Sequence, residues 1–86
     1  MIPCKILGVN TFDHEGEKSF TLNCLFADGP YLCYTHSYQI GFESSIHAGM
    51  IIMVGECITS ELYKDLRDVR LCTAIDVFRF RKEINE

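Results

Sequence analysis

No stretch of this 86-residue chain approaches the ~20 consecutive apolar residues that a membrane-spanning helix needs. The longest apolar run is "MIIMV", Met50 to Val54. The opening "MIPCKILGVN" has neither the charged start nor the small-residue cleavage site of an export signal, so a cytoplasmic location with no membrane partner is expected. Cysteine pairs at metal-binding or redox spacing are missing as well. Cys4, Cys24, Cys33, Cys57 and Cys72 are odd in number, scattered, and set in apolar surroundings. That pattern reads as buried thiols acting as small hydrophobes, and it predicts no metal and no cofactor. Phosphate-binding glycine loops and nucleophile motifs are absent, His14, His36 and His47 lie far apart, and no cysteine has a local activating partner. The chain is therefore expected not to be an enzyme. Cations are few: eight Lys and Arg against twelve Asp and Glu, a net charge of −4. Nucleic-acid partners are more often met by basic domains, so the position of each cation matters more than the total.

What is present is a globular composition, 48 % hydrophobic and 23 % charged, in a length that makes one domain over residues 1–86. Five strands are expected: Ile2 to Val9, Ser19 to Phe26, Tyr31 to His36, Met50 to Ile58 with Gly55 as a bulge, and Arg70 to Lys82. "TFDHEGEK", Thr11 to Lys18, reads as a polar connector turning at Gly16. Asp28-Gly29 is a turn signal between the second and third strands. Because Pro30 cannot donate the closing bond of a two-residue turn there, a four-residue loop from Ala27 to Pro30 is expected. It would pair Phe26 with Tyr31, Cys24 with Cys33 and Leu22 with Thr35, leaving Cys24 and Cys33 close enough to oxidise. One face of this hairpin then carries Phe20, Leu22, Cys24, Phe26, Tyr31 and Cys33 as core. The other carries Thr21, Asn23, Leu25, Leu32, Tyr34 and His36.

Two segments have helical character. Ser37 to Ala48 places Phe42 and Ile46 four apart but contains Gly41, so a short turn of helix or a structured loop is expected. In Ser60 to Arg70, "SELYKDLRDVR", Ser60 can cap and Leu62, Leu66 and Val69 form a stripe; a polar hairpin arm fits equally well. This order of elements predicts a mainly β, all-β fold: a five-stranded Greek-key barrel of OB type with one short helix or hairpin arm. A two-layer α+β sheet with one helix is the alternative.

Several stretches resemble filamentous-phage single-stranded DNA-binding proteins and similar small OB-fold proteins of mobile elements. They are an initial short strand, the Gly/Lys turn into an aromatic-rich strand in "EGEKSFTLNCLFADG", the entry "HAGMIIMV" and the basic closing "DVFRFRK". The resemblance implies a five-stranded barrel that binds single-stranded DNA without chemistry.

The residues suggest how. On OB barrels the second and third strands usually form the ligand face. There, Tyr34, with Tyr31 and His36, would stack on bases. Arg79, Arg81 and Lys82, read as one side of an alternating final strand, would neutralise phosphates. Binding of single-stranded DNA or RNA that weakens steeply with salt is the expected function. Apolar side chains on both hairpin faces suggest a homodimer. Each feature also has a structural reading: a covered face, an edge strand kept soluble by charge, and solvated acidic loops. The acidic clusters Asp13, Glu15, Glu17 and Glu61, Asp65, Asp68 motivate a different function, protein interaction by an acidic module that inhibits or regulates a basic-surfaced host protein.

Overall fold

The computed structural model describes residues 1–42 and 46–86. Five strands, β1 (Ile2–His14), β2 (Glu17–Phe26), β3 (Gly29–His36), β4 (Ile51–Thr59) and β5 (Lys64–Leu71), close into a barrel in the order β1-β2-β3-β5-β4. A 3₁₀ turn (Ser37–Gln39) follows β3, and one helix, α1 (Ala74–Glu83), follows β5. This is the OB-type five-stranded barrel that the sequence pattern predicts. Four of the seams are antiparallel. The fifth is a short parallel one, with β3 meeting β5 at Cys33–Lys64 and Tyr34–Asp65. The buried hydroxyl of Thr35 strengthens that seam by donating to the Leu66 carbonyl at 2.8 Å.

Alternation fills the barrel. Cys4 and Ile6 from β1, Leu22, Cys24 and Phe26 from β2, Cys33 from β3, Ile52 and Val54 from β4, and Leu66 and Val69 from β5 form one buried cluster. Ile46 joins it from the β3–β4 connection. Full burial of such a side chain contributes roughly 1.5–3 kcal/mol.

The β2–β3 hairpin departs from the expected register. Its turn is Ala27-Asp28, with Phe26 opposite Gly29, Cys24 opposite Tyr31 and Leu22 opposite Cys33. The whole ladder is two residues away from the expected pairing. Gly29 at φ 136° starts β3, a conformation closed to most side chains. Pro30 then falls opposite Leu25, one step beyond the closing pair, where no bond to β2 is required of it. A shift of two preserves the faces, so Leu22, Cys24, Phe26 and Cys33 are core with Phe20 packed against them, but Tyr31, expected in the core, is exposed at the barrel mouth beyond the end of the packed interior. Cys24 and Cys33 lie diagonally and are free thiols. The Cys33 thiol is pushed up in pKa by its hydrogen bond to Cys24 and by burial.

Other expectations are corrected in the second half. Gly55 is not a bulge, because Val54–Val69 and Glu56–Arg67 keep one register. It is instead a close approach. Asp68 turns to φ 53°, and a Cβ at Gly55 would stand 2.4 Å from Asp68 Oδ2. The bulge lies in β1, between Ile6 and Gly8. Ser60 to Arg70 is not a helix: Ser60 Oγ and the Tyr63 backbone bond one another at 2.9 and 3.2 Å, closing a turn into β5. Leu62 is accordingly exposed while Leu66 and Val69 are core. Of the Ser37 to Ala48 segment, Ser37–Gln39 is a 3₁₀ turn, and 43–45 lie outside the described residues.

The fifth strand is β5, not Arg70 to Lys82; most of that segment is α1. Thr73 caps it, accepting from the Asp76 N–H at 3.2 Å and donating to Asp76 Oδ2 at 2.9 Å. Asp76 in the first turn and Arg81 and Lys82 in the last suit the helix dipole. Helical spacing separates the two phenylalanines: Phe80 is buried and Phe78 is exposed. Phe80 sits outside the barrel cluster, where α1 packs on β1. Ile51, strand partner of Lys5, is buried although alternation turns it outward, which marks the covered flank as the β1–β4 seam. A Lys5–Glu86 ion pair holds the far end of the chain to β1.

Candidate nucleic-acid interface

α1 covers one flank of the barrel and leaves the outer wall of β1, β2 and β3 open. Alternation puts Asn10 and Phe12 from β1, Thr21 and Asn23 from β2, and Leu32, Tyr34 and His36 from β3 on that wall. Four rings form a row. The Phe12 and Tyr34 centroids are 6.0 Å apart. Tyr34 and His36 meet edge to face at 5.0 Å. His36 and Tyr38 stack at 5.0 Å with 9° between planes. A fifth ring, Tyr63 from the β4–β5 turn, flanks Tyr34 at 6.2 Å. The outer members are open to solvent: Tyr38 is 65 % exposed, Tyr63 42 % and Phe12 40 %.

The row has local supports. Ser19, buried beneath it as the strand partner of His36, hydrogen-bonds His36 Nδ1 through Oγ at 3.0 Å and fixes the imidazole plane. A largely apolar hollow of about 310 Å³ adjoins the row, lined by Thr21, Leu32, Cys33, Tyr34 and Tyr63. Its shape admits a flat apolar group. Its chemistry offers the Thr21 and Tyr hydroxyls at the rim and no fixed charge.

Of the residues expected to act together, the structure joins Tyr34 and His36. Tyr31 is elsewhere. Its ring faces the barrel mouth beside Phe26 at 5.8 Å, with Lys64 Nζ 4.3 Å from its centroid. Its hydroxyl donates to Asp28 Oδ2 at 2.9 Å, and that bond raises its pKa. Arg79, Arg81 and Lys82 are exposed on α1, on the β1–β4 flank; Lys82 covers Phe78 at 4.5 Å from its ring. In a closed order β1-β2-β3-β5-β4, the β1–β4 seam lies across the barrel from β3. The expected basic stripe beside the aromatic wall is therefore not assembled by these three residues. The cation that β5 carries toward the wall is Arg67, two residues past the Tyr34–Asp65 pair and 3.5 Å from Asp65 Oδ2.

The chain matches no family model, no curated protein and no solved structure.

Sequence reasoning missed Phe12, Tyr38 and Tyr63 as members of the row. Phe12 was hidden by treating Thr11 to Lys18 as a connector. Its signal was the alternation Asn10, Phe12, His14 running unbroken to a Glu15-Gly16 turn, which makes β1 and β2 one long ribbon. Tyr38 and Tyr63 arrive from turns by tertiary contact, and no local pattern marks them. Among the described residues, no group of three or more His, Cys, Asp or Glu is arranged to hold a metal ion.

Proposed function

We propose that this protein binds single-stranded nucleic acid, without chemistry, by stacking unpaired bases along the row of Phe12, Tyr34, His36 and Tyr38, with Tyr63 beside it. The observation that carries the reading is the continuity of that row on a wall where, among the described residues, Phe12, Tyr38 and Tyr63 are exposed. Base–aromatic stacking contributes about 1–3 kcal/mol per ring and tolerates any base, because every base has a π-face. Duplexes hide those faces, which selects single strands. Arg67, two residues past the Tyr34–Asp65 pair, already faces Asp65 at 3.5 Å, and the net charge is −4, so stacking and not phosphate neutralisation dominates. The salt slope is then shallow, in place of the steep dependence suggested by the basic "RFRK" run.

The test is a fluorescence titration of oligothymidine at low and high salt. Saturable binding that the double variant Arg79→Ala/Arg81→Ala leaves intact, and that Tyr34→Ala weakens, supports the reading. No binding at low salt rejects it.

One observation favours the other function. The ribbon tip beside Phe12 carries Asp13, Glu15 and Glu17, all exposed. Aromatics rimmed by carboxylates suit a basic protein surface, which would regulate that host protein by occupying it. Capture of a basic protein from host lysate, lost on Phe12→Ala, is its expected signature.

A further inference from the structure

β1 is bonded to β4 through Ile2–Lys5, and the edge groups of Ile6 bond Met50 O at 2.8 Å and Gly49 N at 2.7 Å. Beyond Ile6, nothing among the described residues hydrogen-bonds to that edge of β1. Hydrogen-bonding alternation fixes what the free edge offers. His14–Glu17 closes the two-residue turn of the ribbon and is a bonded pair, so Phe12–Ser19 and Asn10–Thr21 are bonded too. The intervening residues Asp13, Thr11 and Val9 therefore turn their N–H and C=O groups away from β2, to the open side.

Exposed edges of this kind invite pairing with another chain, and folds usually blunt them with charge or proline. The other loosely paired edge here follows that rule: Pro30, opposite Leu25, faces its missing N–H toward the β3–β5 seam below Cys33. The β1 edge does not. "ILGVNTF", Ile6 to Phe12, holds no charge and no proline, and Leu7 and Phe12 are 47 % and 40 % exposed.

We propose that β1 pairs antiparallel with β1 of a second copy about a two-fold axis near Thr11, joining the two aromatic rows through Phe12 into one track. Charge argues for a second copy as the occupant. Two chains of net −4 approach with least repulsion along Ile6 to Phe12, which holds no charge, with Asp13 the single charged residue of the paired stretch Val9 to Asp13. The two-fold register sets Thr11 against Thr11 of the partner subunit, Val9 against Asp13 of the partner subunit and Asn10 against Phe12 of the partner subunit. No like charges face each other, and each outward N–H and C=O finds a partner. Each copy then contributes rings to a site that neither completes alone. The shared track rests on the nucleic-acid reading; the strand pairing does not.

Sedimentation of the full chain without nucleic acid tests the pairing, compared with Thr11→Pro and Thr11→Lys. Proline removes an outward N–H and no bond within the ribbon. Lysine sets like charges together at the axis and leaves the backbone unchanged, so it decides the matter should the proline variant fail to fold. The expected result is wild-type protein rising with concentration to twice the 9.9 kDa chain mass, with both variants held at the chain mass and an unchanged strand circular-dichroism spectrum. Wild-type protein that stays at the chain mass at millimolar concentration, or a folded Thr11→Lys variant that still dimerises, overturns the proposal. With oligothymidine, the wild-type protein should occlude about twice the length that the Thr11→Lys monomer does. Loss of oligothymidine binding with the dimer intact removes the shared track and leaves the pairing standing.

Discussion

Tyr38→Ala isolates the contribution of stacking from that of the fold. Tyr38 is the most exposed ring of the row, at 65 %, so one of its faces is free to extend the stack it makes on His36. Truncation removes one base-stacking platform, about 1–3 kcal/mol, which corresponds to about 5- to 150-fold in affinity. The cost to stability is smaller, since the side chain buries little and its loss removes a single aromatic pair, about 0.5–1.5 kcal/mol. Fluorescence anisotropy with labelled oligothymidine at fixed low salt reads the first quantity, and thermal denaturation reads the second. Tyr31→Ala is the control: it removes a ring of the same chemistry, 36 % exposed, at the barrel mouth and away from the row. The reasoning is refuted if Tyr38→Ala binds as tightly as the parent, or if Tyr31→Ala loses as much affinity as Tyr38→Ala.

Phe80→Ala should cost about 3–5 kcal/mol and release α1 from the β1–β4 seam, seen as a lowered melting temperature and loss of helical signal before loss of strand signal. Gly55→Ala should destabilise the protein by pressing a methyl on Asp68, and a Gly55→Ala/Asp68→Gly double variant should recover most of the loss, which chemical denaturation can measure. The Cys33 thiol, raised by its bond to Cys24 and by burial, contributes stability that is full below the unfolded thiol value of 9.0 and is lost as pH climbs above it. Melting temperature should therefore fall above that pH, and Cys33→Val should flatten the decline.

Period-two alternation made β2, β3, β4 and the Ile2 to Val9 part of β1 legible, and it identified the inward side of the β2–β3 hairpin even though the register was displaced by two. Face survives such a shift; cross-strand neighbours do not, which is why Cys24 and Cys33 are diagonal and not opposed. The C-terminal third misled because "VFRFRK" alternates over too few residues to distinguish a strand from a helix. The distinguishing features were the Thr73-x-x-Asp76 cap and the spacing of Val77, Phe80 and Ile84, with Phe78 left exposed. β5 was obscured for a related reason: Leu66 and Val69 sit three apart because Asp68 takes a left-handed conformation in mid-strand, and the result imitates a helical stripe. At the candidate site, Tyr34 and His36 followed from strand alternation. Tyr38 and Tyr63 depend on how a 3₁₀ turn and a β-turn fold back on the wall. The cations of α1 were lost to the wall once the strand assumed to carry them proved to be a helix on another flank.

The most direct measurement is oligothymidine titration across a range of salt concentrations, carried out in parallel on the wild-type protein and on Tyr34→Ala/Tyr38→Ala. The expected result is saturable wild-type binding with a shallow salt slope that Arg79→Ala/Arg81→Ala does not alter, and near-complete loss of binding in the double tyrosine variant. Absence of wild-type binding at low salt, or equal binding by the double tyrosine variant, contradicts the account.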